Sequence, residues 1–237
     1  MKYQIPKTFM GKPIKGSLER VLAGLDKTPI SNPSVTNPPI NNLKEYIYVP
    51  KSGIHIAKQR THLGLNWYQT HEELQNQNLR MPTIPEFISF LNYLKTDYQD
   101  KQEAQIILDN ILKIGDWRGE WLDARFEKNS GKLYINSNHR TDLNGNLQPQ
   151  NQEPLEDYLR EDSYADIFNP NSQGLPTSKL SNSYEQGKNA YFWYPRDTRV
   201  ARFGALSVGA LLCCGRDPQD TYSSLGVFSV CEANATQ

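Results

Sequence analysis

Apolar positions recur every three to four residues in two stretches of the chain and alternate with a period of two in several others, so the pattern reads as helices mixed with short strands. Phe87, Phe90, Leu91 and Leu94 fall at i, i+3, i+4 and i+7 behind Thr83-Ile84-Pro85-Glu86. That tetrapeptide is a capping box with proline in the first turn, and the spacing predicts a helix that docks one stripe on a sheet. A second helix is predicted from about Gln102 to Ile114, burying Ala104, Ile107, Leu108 and Ile111 and ending before Gly115. Near the N-terminus, Ser17 is placed to cap a short helix with Leu18, Val21, Leu22 and Leu25 on one face. The stretch TPISNPSVTNPPINN that follows suits neither helix nor ladder.

Alternation marks the strands. YIYVPKSGIHIAK reads as a hairpin around Pro-Lys-Ser-Gly, and Trp121 to Phe126 as a strand that Asn129-Ser130-Gly131 turns toward a partner from Lys132 to Asn136. From Asn138 to Lys188 the chain is polar, with one apolar and aromatic piece around Tyr158, Leu159, Tyr164 and Phe168, and it is expected as a long functional connection or insertion.

The C-terminal segment from Asn189 to Ala233 crowds aromatic, small and arginine residues together. Ala201, Phe203, Ala205 and Ser207 alternate with Arg202, Gly204, Leu206 and Val208, then the register slips by one. Ala210, Leu212, Cys214, Arg216 and Pro218 now alternate with Gly209, Leu211, Cys213, Gly215 and Asp217, which predicts a bulge or strand break near Val208 and Gly209. Asp217-Pro218 with Asp220 supplies a turn, and Leu225 to Val230 gives a last strand.

Composition narrows the classes. Lysine plus arginine and aspartate plus glutamate number 26 each, so no global field favours nucleic acid or an anionic membrane. No apolar run reaches the roughly 18 residues of a membrane span. The N-terminal MKYQIPKTFMGKPIKG lacks the apolar centre of a signal peptide, and a chain made as a soluble cytoplasmic protein is expected. The 3 cysteines, two of them adjacent, build neither a disulfide framework nor a zinc spacing, and are expected as buried or incidental thiols. The sequon Asn234-Ala235-Thr236 in the tail carries little weight.

Motifs for chemistry are absent: there is no nucleophile elbow, phosphate loop, dinucleotide glycine pattern or HExxH. His55 is placed in a strand, His62 and His71 beside a loop and His139 after a strand, each isolated, so structural or solvent-facing roles are expected. Glu120 and Asp123 sit at odd spacing on one strand and therefore on opposite faces. Gln148-Pro149-Gln150 is similar to the calcium loop of sugar-binding lectins, but no carboxylate-rich partner strand completes the ligand set, and calcium is not expected. Tyr191, Trp193, Tyr194, Arg196, Leu206, Leu211 and Tyr222 have the composition of a binding hot spot, and equally that of a core.

The final segment resembles the variable region of proteins diversified by diversity-generating retroelements, on Arg199-Val200-Ala201-Arg202-Phe203, the alternation through Cys214, Arg216-Asp217-Pro218 and Ser223-Ser224-Leu225-Gly226-Val227-Phe228. MPTIPEFISFLNYL looks like that family's first helix and GEWLDARF like its central sheet, so the resemblance runs from about Tyr46 to Ala233. It implies an α+β, C-type lectin-like fold of the formylglycine-generating-enzyme type: two helices on mostly antiparallel short sheets with long irregular loops. Residues 1–43 would form an N-terminal arm and 44–237 the domain, with the variable region at about 189–233.

In such proteins an error-prone reverse transcriptase rewrites template adenines, and the changed side chains line an exposed face on a fixed backbone. Carried over by position, the ligand-binding set is Gly204, Leu206, Val208, Gly209, Leu211, Cys213, Gly215 and Asp217, then Asp220, Thr221 and Tyr222, joined by Tyr191, Tyr194, Arg196 and Asp197. Ala205, Ser207, Ala210, Leu212, Cys214 and Arg216 would be scaffold. Every member of the ligand-binding set is reachable by randomising the adenines of an AAC-type codon. The resemblance implies a binding protein and no enzyme, with no catalytic residue, metal or cofactor, recognising a macromolecule, in the first place a protein; it leaves display on a cell or virus open. The alternatives are a copper oxidase related to formylglycine-generating enzymes and a plain sugar-binding lectin.

Overall fold

The computed structural model describes Thr8–Phe9, Lys12–Pro13 and residues 43–115 and 117–232. The predicted helix behind Ser17 and the tail sequon lie outside the described residues. The chain divides into two compact units, Met1–Pro39 and Ile40–Gln237. In the first, β1 (Thr8–Phe9) pairs antiparallel with β2 (Lys12–Pro13).

The second unit is α+β, with three helices and mostly antiparallel sheets among the described residues. The capping box at Thr83 closes: its hydroxyl accepts from the Glu86 amide at 3.4 Å and a Glu86 carboxylate oxygen accepts from the Thr83 amide at 2.8 Å. It starts α2 (Ile84–Thr96), which buries Phe87, Phe90, Leu91 and Leu94. Asp100 caps α3 (Lys101–Leu112), which buries Ala104, Ile107, Leu108 and Ile111.

The expected pair of helices is one short. An earlier helix, α1 (Trp67–Asn76), begins at Asn66 with its own capping box to Gln69. Its buried residues are Trp67, Thr70, His71 and Leu74, so half of its inward stripe is polar and the apolar periodicity is weak.

Strands β3 (Tyr46–Val49) and β4 (Ile54–Ala57) form the expected hairpin, and β14 (Val230–Glu232) adds to β4 in a three-stranded sheet. The larger sheet is built around β5 (Arg118–Asn129). It hairpins with β6 (Lys132–Thr141) through Ser130 and Gly131, whose φ values of 49° and 82° suit a tight turn. Strands β7 (Leu147–Pro154), β8 (Ser163–Ala165) and β9 (Lys179–Ser181) come from the stretch expected to be a long connection. Exposed and polar, β7 shows no alternation to read. As an edge strand it accommodates Pro149 opposite His139.

The C-terminal segment supplies β10 (Ala190–Trp193), β11 (Arg199–Leu206), β12 (Gly209–Arg216) and β13 (Leu225–Gly226). The order across the larger sheet is β7-β6-β5-β11-β12-β10-β8-β9, with β13 parallel to β5. The register slip near Val208 and Gly209 is a hairpin turn: Leu206 pairs with Gly209, Ala205 with Ala210 and Phe203 with Leu212. The bulge lies instead between Val200 and Arg202.

Two buried clusters clothe the sheet. One packs α2 and α3 against Leu122, Ala124, Phe126, Phe192, Phe203 and Leu212, with the Phe87 and Phe203 rings 5.3 Å apart. The other holds Trp67, Leu74, Met81, Trp121, Val200, Leu225 and Val227. No helix among the described residues is long and apolar enough to cross a membrane.

Candidate functional site

Because β11 and β12 form a hairpin, positions that share a face are fixed by cross-strand pairing. Ala201, Phe203, Ala210, Leu212 and Cys214 lie in the helix-side core. Arg202, Gly204, Leu206, Gly209, Leu211 and Cys213 alternate with them and take the other face. Parallel pairing of β10 with β12 then aligns Tyr191 with Leu211 and Trp193 with Cys213 on that outer face, while Phe192 pairs with Leu212 inside.

Aromatic and arginine side chains layer this surface. The Tyr191 ring stands edge-on to Tyr164 at 5.0 Å and 6.4 Å from Trp193. Arg202 lies 5.0 Å over Trp117, whose ring meets Tyr222 at 5.0 Å, and Arg216 lies 5.7 Å over Tyr222. Two edge-on rings thus sit between two guanidinium groups, an arrangement that restrains all four side chains. Carboxylates hold the rim: Asp162 takes Arg196 at 2.9 Å, Asp217 takes Arg199 at 2.5 Å, and Asp220 pairs with Arg216.

The expected positions do not share one environment. Val208, Tyr222, Thr221, Arg196 and Asp197 are exposed, and Tyr191, Tyr194, Leu206, Gly215, Asp217 and Asp220 are half-buried. Leu211 and Cys213, expected on an open surface, are 4% and 2% exposed. Gly204 and Gly209 cannot carry varied side chains in place. A β-carbon on Gly204 would lie 2.6 Å from the Arg118 carbonyl oxygen, and one on Gly209 would meet the Tyr184 ring, where φ is also +133°. Asp197 also ties its loop to β5, accepting from the Lys128 amide at 2.8 Å, and Asp217 serves its own turn, accepting from the Gln219 amide at 3.0 Å. Trp193, Trp117 and Tyr164 belong to the surface and were absent from the expected set, as was Arg202, which takes the same face but is only 5% exposed. Of these, Trp193 and Arg202 carried a signal, their alternation with Phe192 and with Ala201 and Phe203.

All three cysteines are free and buried, and burial pushes each thiol up. Cys213 lies on the outer face, Cys214 in the core and Cys231 in the separate three-stranded sheet, so their thiols are not arranged as one redox or metal pair.

The histidines depart most from expectation. His71 lies in α1 and His139 within β6, and both turn onto Asp123 of β5, 3.6 Å and 2.5 Å from Oδ1. Trp67 stands edge-on to both rings, at 4.3 and 4.9 Å. Burial lowers His71 to about 4, against the pull of Asp123. Burial pushes the Asp123 carboxyl up, but the hydrogen bond from His139 and the neighbouring imidazoles outweigh it and hold it below the ordinary value. Glu120, on the opposite face of β5, is also fully buried. Arg60 and Arg118 approach it at 3.5 and 3.9 Å, yet burial wins and raises it to about 7.

No protein-family model, curated protein or solved structure matches the chain.

Proposed function

We propose that the protein is a ligand-binding protein whose C-terminal surface is diversified by a retroelement, and that the outer face of β10, β11 and β12 is its recognition surface. One observation carries this reading: along the hairpin, the residues matching the family's variable positions alternate with the residues that build the core. Side chains at Leu206, Val208, Thr221 and Tyr222 can therefore change without disturbing Phe203 or Leu212. The proposed set is narrower than the alternation alone suggests, because Gly204 and Gly209 are sterically constrained and Leu211 and Cys213 are buried.

The fold proposed with this function is C-type lectin-like. MPTIPEFISFLNYL leads into and supplies most of α2, one helix later than the resemblance assigns it, and GEWLDARF lies in β5 of the larger sheet. The ligand class is protein, since exposed Tyr and Trp among paired arginines suit a broad, partly polar interface. The copper-oxidase alternative would need the thiols to converge, and they are divided among two faces and two sheets.

The test is the DNA beside the gene. A second copy of codons 191 to 233 next to a reverse-transcriptase gene is expected, differing where the copy has adenine, at Leu206, Val208, Thr221 and Tyr222 and not at Phe203 or Leu212. Absence of such a copy, or differences scattered evenly over both faces, would overturn the proposal.

A further inference from the structure

Outside the recognition face, one polar cluster is sealed in the interior. His71, Asp123 and His139 are 1%, 0% and 2% exposed, come from α1, β5 and β6, and have their potential ligand atoms within 4.8 Å of one another. Asp123 is held in place through both its carboxylate and its backbone. Its Oδ2 accepts the His139 backbone amide at 3.0 Å, and the Asp123 amide donates to the Pro82 carbonyl at 2.8 Å, leaving Oδ1 toward the two rings.

The second observation concerns His71. Neither of its ring nitrogens has a hydrogen-bond partner, although the side chain is buried. Buried polar atoms without partners are uncommon, and an ion or a water is a usual reason for one. His71 Nε2 looks across 3.6 Å at Asp123 Oδ1, too far for a hydrogen bond. Two ligands each about 2.0–2.2 Å from a tetrahedral zinc ion lie roughly 3.3–3.6 Å apart, so this gap has the width of a shared metal.

We propose that His71, Asp123 and His139 form a binding site for one divalent transition-metal ion of the zinc class. Two imidazoles and a carboxylate are the donor set such ions take, whereas calcium and magnesium prefer oxygen alone. The ion would join Asp123 to His71 and His139, and so tie α1 to β5 and β6. The His139–Asp123 pair, now 2.5 Å apart, would have to part by roughly 0.8–1.1 Å to admit it. Three protein ligands leave one position for a water or the second carboxylate oxygen. Closed off from solvent, the site is structural, in the sense of a staple between elements distant in sequence.

The experiment uses the full chain without a histidine tag, stripped with chelator and titrated with Zn2+ and with Co2+. Uptake of about one ion per chain is expected, with cobalt absorption of nitrogen and oxygen ligation and a raised Tm. Among the 4 histidines, the imidazole resonances of His71 and His139 should shift while those of His55 and His62 stay. His71→Asn should weaken uptake by more than about tenfold. Should that variant fail to fold, the wild-type resonance shifts decide by themselves. Negligible uptake of both ions by folded wild-type chain, or uptake that moves His55 or His62 instead, would overturn the proposal; in the first case the cluster is a buried hydrogen-bonded pair with a packed imidazole.

Discussion

Gly204 and Leu211 stand opposite one another across the β11–β12 hairpin, one step along from Phe203 and Leu212, and take the other face of the sheet. The pair has no place in the aromatic core, yet Leu211 is 4% exposed. The outer face is thus uneven in exposure, with Leu211 and Cys213 buried beside the exposed Trp193 and Tyr222.

That difference in exposure separates two substitutions. Leu211→Ala is expected to cost about 2–3 kcal/mol, as a buried leucine truncation. Tyr222→Ala, at an exposed side chain, should stay within about 1 kcal/mol while changing ligand binding. Urea unfolding of both variants checks this: a neutral Leu211→Ala would mean that the Leu211 side chain is not packed.

Core truncations should be uniformly severe. Trp121 and Phe90 are both 0% exposed and sit in different clusters, on opposite sides of the sheet. Each replaced by alanine is expected to lose roughly 3–5 kcal/mol, and a much smaller loss for one of them in denaturant titrations would single out its cluster as loosely packed.

In the metal-stripped chain, acid should act through His71. Its folded pKa is about 4 against an ordinary 6.5, so the unfolded chain takes the proton first. Stability from keeping it neutral is complete above 6.5 and is lost as pH falls toward 4, at about 1.4 kcal/mol per pH unit. Asp123, held low, adds a further loss in stronger acid.

Glu120 has the opposite sign. With a folded pKa of about 7 against 4.5, the folded chain keeps a proton that the unfolded chain releases. Its contribution is complete below 4.5 and is lost as pH rises to 7. The two slopes oppose one another between about pH 4.5 and 6.5, so wild-type stability should be nearly flat there. His71→Asn should then lose stability as pH rises through that window, and Glu120→Gln as pH falls through it. Parallel profiles for both variants in urea unfolding would refute the assignment.

The elements written in strong local code were legible in the sequence. The capping box at Thr83, the stripe from Phe87 to Leu94, the Ser130-Gly131 turn and the alternation on either side of Val208 depend on neighbours within a few residues, and each formed where the pattern placed it. Helix α1 was not legible, because Thr70 and His71 occupy half of its buried stripe and are inward only through Trp67 and Asp123. Strand β7 was hidden for a related reason: it is exposed, and β6 alone organises it. At the candidate surface, sequence alternation determined which residues share a face. Tertiary packing alone decided which of them reach solvent: it sank Leu211 and Cys213, closed Gly204 against the Arg118 carbonyl and Gly209 against Tyr184, and joined Trp117 to Tyr222. It also brought His71 and His139 to Asp123 from 52 and 16 positions away, since contacts between distant segments depend on how whole elements stack and leave no mark on local periodicity.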